Sequence, residues 1–227
     1  MSLNNNAVNG PSGLAPFRNI GAHGWNGQTN DYLIASGYAS NIFMQDPVQQ
    51  NVAAGATGTI QIANAAGALA YLGVFFGCKY YDPLGNFVFS KYWPTGQVTW
   101  SPGGTGNIPA TAVVIDDPNT TFLIQGDGTL DPITGTDYGI TQPDNFYNAS
   151  LVAAAGSTIS GLSGWSLGVS TIANTATLHV KILRIAPFPT NFYATVANTV
   201  GNPSYNVAEV LINNHTFKGG TGTVGPA

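Results

Sequence analysis

Residues 72–93 read LGVFFGCKYYDPLGNFVFSKYW, and this stretch decides the fold of the chain. It contains two apolar, aromatic runs, Leu72–Tyr81 and Phe87–Trp93, whose Val, Phe and Tyr residues favour a half-buried pleated surface. A proline early in the segment between them presets φ, and either Gly85 or Asn86 can take the positive φ that closes a tight turn. The stretch therefore predicts a β-hairpin that nucleates the main core.

The composition outside this hairpin is unusual in its lack of charge. The chain has 227 residues, of which 44% are hydrophobic but only 7% are charged, against about 25% in an average globular protein. Sixteen charged side chains, 6 basic and 10 acidic, correspond to roughly one per 600 Å² of folded surface. Since charge normally keeps a free monomer apart from its neighbours, this composition favours a protein that is packed against others.

Several classes of protein are disfavoured by the same totals. A net charge of -4 with scattered Lys and Arg does not supply the basic stripe that nucleic acids require. Glu209 is the only glutamate in the sequence. Long amphipathic helices depend on Glu and Lys for their solvent-exposed face, so such helices are not expected. Cys78 has no second cysteine to pair with and is expected to be a buried, inert thiol.

Neither a membrane span nor an export signal is expected from the sequence. The longest apolar run, Leu69–Phe76, is too short to cross a bilayer. The start, Met1–Asn4, has neither the basic residues nor the apolar core of a signal peptide, so synthesis in a cytoplasm without the usual export is expected.

The pattern along the chain predicts three regions. Residues 1–30 are Asn- and Gly-rich and are expected to form an extended arm, ordered where it touches something. Residues 31–217 contain about ten short strand patterns and long polar loops, with little helix signal. This favours an all-β body, an antiparallel β-sandwich or barrel. Residues 218–227 are expected to be a flexible tail.

The apolar residues of the arm are candidate contacts with a partner. These candidates are Phe17, Arg18, Ile20 and Trp25, in an otherwise polar segment. They predict a clasp that orders on docking, and the open alternative is that they fold back onto the body of their own chain.

One motif has the form of a catalytic site. Gly164–Gly168 matches the G-x-S-x-G nucleophile elbow, and Glu209 and His215 follow in the order of a catalytic triad. The elbow requires a helix after the serine, and residues 169–174 carry no helix pattern. The match is therefore interpreted as a chance feature of a Gly- and Ser-rich loop.

The candidate metal and carboxylate sites are also weak. The three histidines lie in distant segments, at His23, His179 and His215, without the spacing of metal ligands. His179 is expected on the surface of its strand. Asp127, Asp131 and Asp137 share one loop, where turn formation is favoured over calcium binding. Asp116 and Asp117 are adjacent and would point apart in an extended chain, so they too are interpreted as turn formers rather than a glycosidase pair. Neither a metal nor a cofactor is expected.

Aromatic side chains in or beside loops are the remaining candidates for binding. The candidate interface aromatics are Trp93, Trp100, Tyr138, Tyr147 and Trp165. Such side chains stack on sugars or anchor a neighbouring subunit, and a neighbouring subunit is favoured here.

Five strings carry a resemblance to a known group of proteins. They are IASGYASNIFMQDPV (34–48), LGVFFGCKYYDPLGNFVFSKYWPTG (72–96), AVVIDDPNTTFLIQGDG (112–128), TATLHVKILRIAP (175–187) and AEVLINNHTF (208–217). They resemble virion structural proteins of short-tailed phages, in particular capsid decoration (cement) proteins. Such families commonly show a Gly-Asp-Pro turn where this chain has Gln45-Asp46-Pro47.

The resemblance implies a structural role without enzymatic activity. It implies an all-β body, often a homotrimer, that binds the major capsid protein on the outside of the shell and stabilises it. The expected location is the virion. The main alternative is a receptor- or glycan-binding head domain of a tail fibre or tailspike, and a polysaccharide hydrolase ranks below it. The major capsid protein itself is disfavoured, because no stretch supplies the long charged helix of its usual fold.

Overall fold

The structure is a computed structural model that describes residues 9–21, 24–65, 69–104, 106–135, 139–187 and 205–218. Over these residues the chain consists of β-strands, loops and short 3-10 helices at Pro102–Gly104, Gln142–Asp144 and Thr216–Lys218. The prediction of an all-β fold with little helix is therefore confirmed.

The strands of the described residues are short, with one exception. In chain order they are β1 (Ala15–Asn19), β2 (Asn30–Ile34), β3 (Ile42–Phe43), β4 (Pro47–Gln50), β5 (Ile60–Ile62), β6 (Tyr71–Tyr81), β7 (Phe87–Ser90), β8 (Tyr92–Trp93), β9 (Ala110–Ile115), β10 (Thr120–Gln125), β11 (Asn148–Val152), β12 (Ser166–Ala173), β13 (Val180–Ile185) and β14 (Val207–Ile212). The exception is β6, which runs for 11 residues.

The strands form two six-stranded antiparallel sheets in a sandwich-like arrangement. The first sheet has the order β1-β10-β14-β13-β11-β12, and the second has the order β2-β9-β6-β4-β5, with β7 paired to the end of β6. A parallel bridge between Leu33 of β2 and Thr59, next to β5, connects the two ends of the second sheet. The second sheet therefore curls back on itself, and the short pair β3-β8 lies beside it.

The hairpin expected from residues 72–93 is present as β6 and β7. Tyr81 pairs with Phe87 across the turn, and Gly85 is the residue that takes the positive φ, at 83°. The second run, however, is not one strand. The hydroxyl of Ser90 donates to the carbonyl of Tyr92 and accepts from its N–H, and the chain leaves β7 there to pair Tyr92 and Trp93 with β3.

The long strand β6 is buried on both faces and separates two hydrophobic cores. Tyr71 and Val74 belong to the first core, which lies between the two sheets. Leu72, Phe75 and Cys78 belong to the second core, which the curled second sheet encloses. Burial also raises the pKa of the Cys78 thiol to about 12, as expected for an inert cysteine.

Two β-bulges allow β6 to serve both cores. Its pairing shifts by one residue between Tyr71 and Gly73 against β4, and again between Phe75 and Gly77 against β9. A bulge moves the following side chains to the other face of a strand. Gly73 is required at the first bulge, because a Cβ there would lie 2.2 Å from the carbonyl oxygen of Ile115.

The predicted boundary of the N-terminal arm is wrong for residues 15–19. This segment is β1, an edge strand of the first sheet paired with β10, and Leu14 just before it is fully buried in the first core. The arm prediction failed because a single edge strand needs little apolar periodicity when its partner strand supplies the pairing. Residues 1–8 and 219–227 lie outside the described residues.

A buried carboxylate connects β1 to the first sheet. Glu209 of β14 has no exposed side-chain surface and lies between two arginines. Arg18 of β1 reaches its Oε1 at 2.7 Å, and Arg184 of β13 reaches its Oε2 at 2.6 Å. The unique glutamate of the chain is therefore an ionic link across four neighbouring strands, since β10 lies between β1 and β14.

We expect Glu209→Gln to lower the free energy of unfolding by about 1.5–3 kcal/mol, the range for hydrogen bonds to a charged group. The matched control is Asp31→Asn, which removes the exposed Lys79–Asp31 ion pair and is expected to cost less than about 1 kcal/mol. Urea unfolding at neutral pH measures both values. Equal losses in the two variants would contradict the structural role of Glu209.

The same carboxylate predicts a pH dependence of stability. Burial opposes the ionisation of Glu209, but hydrogen bonds from Arg18 and Arg184 outweigh it and lower its pKa. Because the unfolded-state pKa of Glu is about 4.3, the ionised cluster stabilises the fold above that pH. This contribution is lost as the pH falls through the lower folded-state value. The difference in unfolding free energy between wild type and Glu209→Gln should therefore shrink on acidification, and a difference independent of pH would refute this.

Candidate interaction surface

Five exposed apolar side chains lie near one another at the β6–β7 hairpin. We call this group the hairpin patch, and its members are Tyr81, Leu84, Phe87, Phe89 and Trp100. Their exposed fractions lie between 38% and 86%. Exposed apolar residues are ordinary when scattered, and a cluster of this size is characteristic of an interaction site.

The alternation of β7 explains why its phenylalanines face solvent. Val88 points inward and packs against the second core, so Phe87 and Phe89 on either side of it point outward. Phe89 lies opposite Lys79 of β6, which also faces outward. The sequence alone predicts that this run is part of the main core. The charged side chain of Lys79 is the signal in the sequence that this face points outward. It lies on the same face of the hairpin as Phe87 and Phe89.

Aromatic contacts hold the patch together. Tyr81 meets Phe87 edge-to-face at a centroid distance of 5.4 Å and lies 6.1 Å from Trp100. The main-chain N–H of Trp100 donates to the carbonyl of Tyr81 at 3.0 Å. Trp100 also packs over Gly85, where an added Cβ would come within 3.6 Å of the indole. The loop that carries Trp100 is therefore fixed to the hairpin, and the rings form one surface.

The hairpin turn is rigid because Asp82 satisfies its polar groups. One carboxylate oxygen of Asp82 accepts from the N–H groups of Leu84 and Asn86, and the other accepts from the Asn86 side chain. These hydrogen bonds, the side-chain amide of Asn86 first, lower the pKa of Asp82. The carboxylate is thus committed to the turn, and the patch beside it presents mainly apolar surface.

Few charges border the patch. Lys79, opposite Phe89, is paired with Asp31 of β2 at 2.6 Å. An exposed pair of this kind contributes little stability. Its opposite charges largely cancel, so it presents little net charge to a binding partner. The surface is therefore suited to recognition by burial rather than by ion pairing.

The structure corrects two of the five predicted interface aromatics. Trp93 is fully buried in the second core, edge-to-face with Tyr80, and Trp165 is buried in the first core. Both lie at the ends of strands, next to loop-like sequence. Such a sequence does not indicate that their side chains point into the core. Trp100 is exposed in the patch, and Tyr147 is half-buried against the first core. Tyr138 lies outside the described residues.

The four arm residues do not form one surface. Arg18 binds Glu209, and Trp25 packs edge-to-face on Phe76 of β6 at 5.2 Å. Both therefore contact the body of their own chain, which was the alternative to the clasp. Phe17 is half-buried beside Arg18, and Ile20 is the most exposed of the four.

The residues of the catalytic motif are not brought together. Ser166 begins β12, an extended strand rather than a turn into a helix. Glu209 is bound by two arginines, and Nδ1 of His215 accepts from the main-chain N–H of Phe217. Each candidate member of the triad thus has a different structural surrounding.

The carboxylates considered as metal or catalytic groups serve local structure. Asp127 accepts from the N–H groups of Thr129 and Val169, and Asp131 accepts from those of Ile133 and Thr134. Asp137 lies outside the described residues. Asp116 accepts from the side chains of Asn30 and Tyr32 and so fastens β2 to the end of β9, while Asp117 accepts from the N–H of Asn119 in its own turn.

His179 is buried, in contrast to its predicted surface position. It stacks on Tyr71 with ring centroids 4.8 Å apart, and its Nδ1 accepts from the N–H of Leu151. It lies just before β13, so strand alternation did not determine its direction. Among the described residues, no cluster of three or more His, Cys, Asp or Glu side chains is arranged to hold a metal.

The comparisons with known proteins found no matching protein family, curated protein or solved structure. In the part of the chain that the structure describes, no helix has the length and apolar character needed to span a membrane.

We expect Phe87→Ser with Phe89→Ser to change the unfolding free energy by no more than about 1 kcal/mol, since both side chains are exposed. Phe75→Ala removes a fully buried ring from the second core and should lower the unfolding free energy by about 3–5 kcal/mol. Chemical denaturation measures the stabilities, and binding of a hydrophobic dye to the native protein measures the patch. The double variant should bind less dye, and a large loss of stability in it would show that the rings belong to the core.

Proposed function

We propose that this protein is a structural component of a phage particle that binds the outer surface of the capsid and stabilises the shell. The observation that carries this proposal is the hairpin patch, a rigid apolar surface on a chain with very few charges. The resemblance of residues 34–48, 72–96, 112–128, 175–187 and 208–217 to decoration proteins points to the same role.

The size of the patch fits one half of a protein–protein contact. At about 150–250 Å² for each large side chain, the exposed fractions correspond to roughly 600 Å² of apolar surface. This is the upper end of what monomers expose, about 300–600 Å², and most of the roughly 800 Å² that each partner contributes to a standard interface. A polar rim around the patch would supply the remainder.

The rigidity of the patch favours tight docking. The hairpin extends from β6, which two cores hold in place, and the turn is closed by the hydrogen bonds of Asp82. A surface that is already ordered loses little conformational entropy on binding. A decoration protein works by adding contacts between shell subunits, and a pre-ordered apolar surface provides such contacts at low entropic cost.

The polar groups of the hairpin favour a protein partner over a sugar. Sugar recognition needs free polar side chains beside an aromatic platform, since buried hydroxyls require hydrogen bonds. The carboxylate of Asp82 and the amide of Asn86 are beside Tyr81 and Trp100, but they bind each other. The patch therefore offers burial more than directed hydrogen bonds.

The proposal is tested with phage heads assembled without this protein. Purified protein should co-sediment with such heads, and Phe87→Ser with Phe89→Ser should weaken the association by about 2 kcal/mol or more, roughly 30-fold in affinity. The matched control is Ile159→Ser, which removes an isolated, almost fully exposed apolar side chain and should leave association unchanged. Failure of the wild-type protein to bind heads would overturn the proposal.

Two further measurements separate the alternatives. Association through apolar burial should change little between low and high salt, whereas an ionic contact would weaken. Binding to host surface polysaccharide instead of heads would favour the tail head domain over a decoration role.

Ile20→Ser tests the remaining exposed member of the arm, and the clasp hypothesis expects it to reduce retention on heads.

A further inference from the structure

In the part of the chain that the structure describes, the outer edge of β7 is open, whereas the ends of the two six-stranded sheets are covered. The edge of β1 is bridged by Gly24, and the N–H of Trp25 donates to the carbonyl of Phe17. The edge of β12 is capped by Asp127 and Thr129, which accept from its main chain. The ends of the second sheet bridge each other at Leu33 and Thr59. Within the described residues, β7 pairs with β6 alone.

The alternation of the hairpin determines which groups of β7 point outward. The N–H of Asp82 donates to the carbonyl of Asn86, so the main chain of Asn86 faces β6. In an antiparallel pair the next residue faces away, and the direction then alternates. The main-chain groups of Phe87 and Phe89 therefore point away from the sheet, and those of Val88 point toward β6. The open edge presents two N–H and two C=O groups.

This edge lacks the features that normally prevent pairing. Natural edge strands are protected by charged residues, proline or bulges. Residues 87–90 read FVFS and contain neither charge nor proline, and their pairing with β6 is regular from Tyr81–Phe87 to Cys78–Ser90. A straight, uncharged edge of this kind is a template for another strand.

We propose that β7 pairs with β7 of a second copy of this chain, antiparallel across a twofold axis. In the register that uses all outward main-chain groups, Phe87 lies opposite Phe89 of the second copy and Val88 lies on the axis. This pairing forms about four main-chain hydrogen bonds and two cross-strand Phe–Phe pairs, an arrangement that stabilises sheets.

The charges at the two ends of β7 favour this antiparallel self-pairing. Asp82 lies in the turn at the start of the strand, bound to Asn86, and Lys91 follows its end and is exposed. An antiparallel twofold places Lys91 of each copy beside the turn that holds Asp82 of the other. A parallel arrangement would instead bring like charges together. The strand itself adds no repulsion because it is neutral.

Self-pairing also enlarges the hairpin patch. The outward rings of Phe87 and Phe89 lie on one face of β7, and a twofold pair places four such rings on one continuous sheet. The edge is used by the second copy, while the face remains available to another partner. The inference is therefore independent of the proposed function, and it predicts a twofold contact rather than the trimer that the resemblance implies.

The test compares two substitutions that remove the same ring. Phe89→Pro removes the outward N–H as well, while Phe89→Ala keeps it, and an edge strand tolerates proline. Sedimentation of the full chain over a range of concentrations should show a dimer for wild type. Phe89→Pro should weaken the dimer at least tenfold more than Phe89→Ala. A monomer at all concentrations, a trimer indifferent to Phe89→Pro, or equal effects of the two variants would overturn the inference.

A cross-linking experiment tests the register without relying on the folding of the proline variant. Val88→Cys places identical thiols across the axis, where Cα atoms of a non-hydrogen-bonded pair lie about 4.5 Å apart, within the range of about 4.4–6.8 Å for a disulfide. Mild oxidation should yield a covalent dimer. The control, Ile159→Cys, reports random collision, and the native Cys78 is buried. Cross-linking of Val88→Cys no faster than the control would refute the pairing.

Discussion

The double-sided burial of β6 is the constraint on which the rest of the structure depends. A strand that packs on one side only can alternate apolar and polar residues, but β6 supplies Val74 to one core and Phe75 to the other. Its 11 residues would direct side chains strictly alternately if the ladder were regular. The bulges at Gly73 and Gly77 change that direction locally, so that one strand fits two differently curved surfaces.

This central strand explains the position of the hairpin patch. At its C-terminal end β6 still contributes Cys78 and Tyr80 to the second core, but on its other face it has passed beyond the first core. There β7 pairs with it on the side that β4 occupies earlier in the strand. Val88 still reaches the core, while Phe87 and Phe89 have no layer above them among the described residues. The rings of Phe87 and Phe89 are thus exposed because β6 extends beyond the layer that covers this face of it. Their rigidity comes from the same strand.

Several of the few ionic groups in this chain have a structural role. Glu209 sits in the first sheet between Arg18 and Arg184 and connects the edge strand to the sheet centre. Asp116 fastens β2 to β9, and Asp82 closes the hairpin turn. Of these carboxylates, Glu209 has a fully buried side chain that is paired with two arginines, so it contributes little to repulsion between molecules.

The sequence by itself determined the strand-rich class, the hairpin at Asp82–Asn86 and the inert Cys78, because turn residues and β-branched or aromatic runs act locally. Its scarcity of charge also predicts association with other molecules, and that stays a prediction. Only the tertiary structure decided that residues 15–19 form an edge strand, that Trp93 and Trp165 are core residues, and that Phe87 and Phe89 are surface residues. These outcomes depend on which layer covers which face of a strand, and that is set by residues distant in the chain. The hydrophobicity of a residue expresses its tendency to be buried, but the presence of a covering layer decides whether it is.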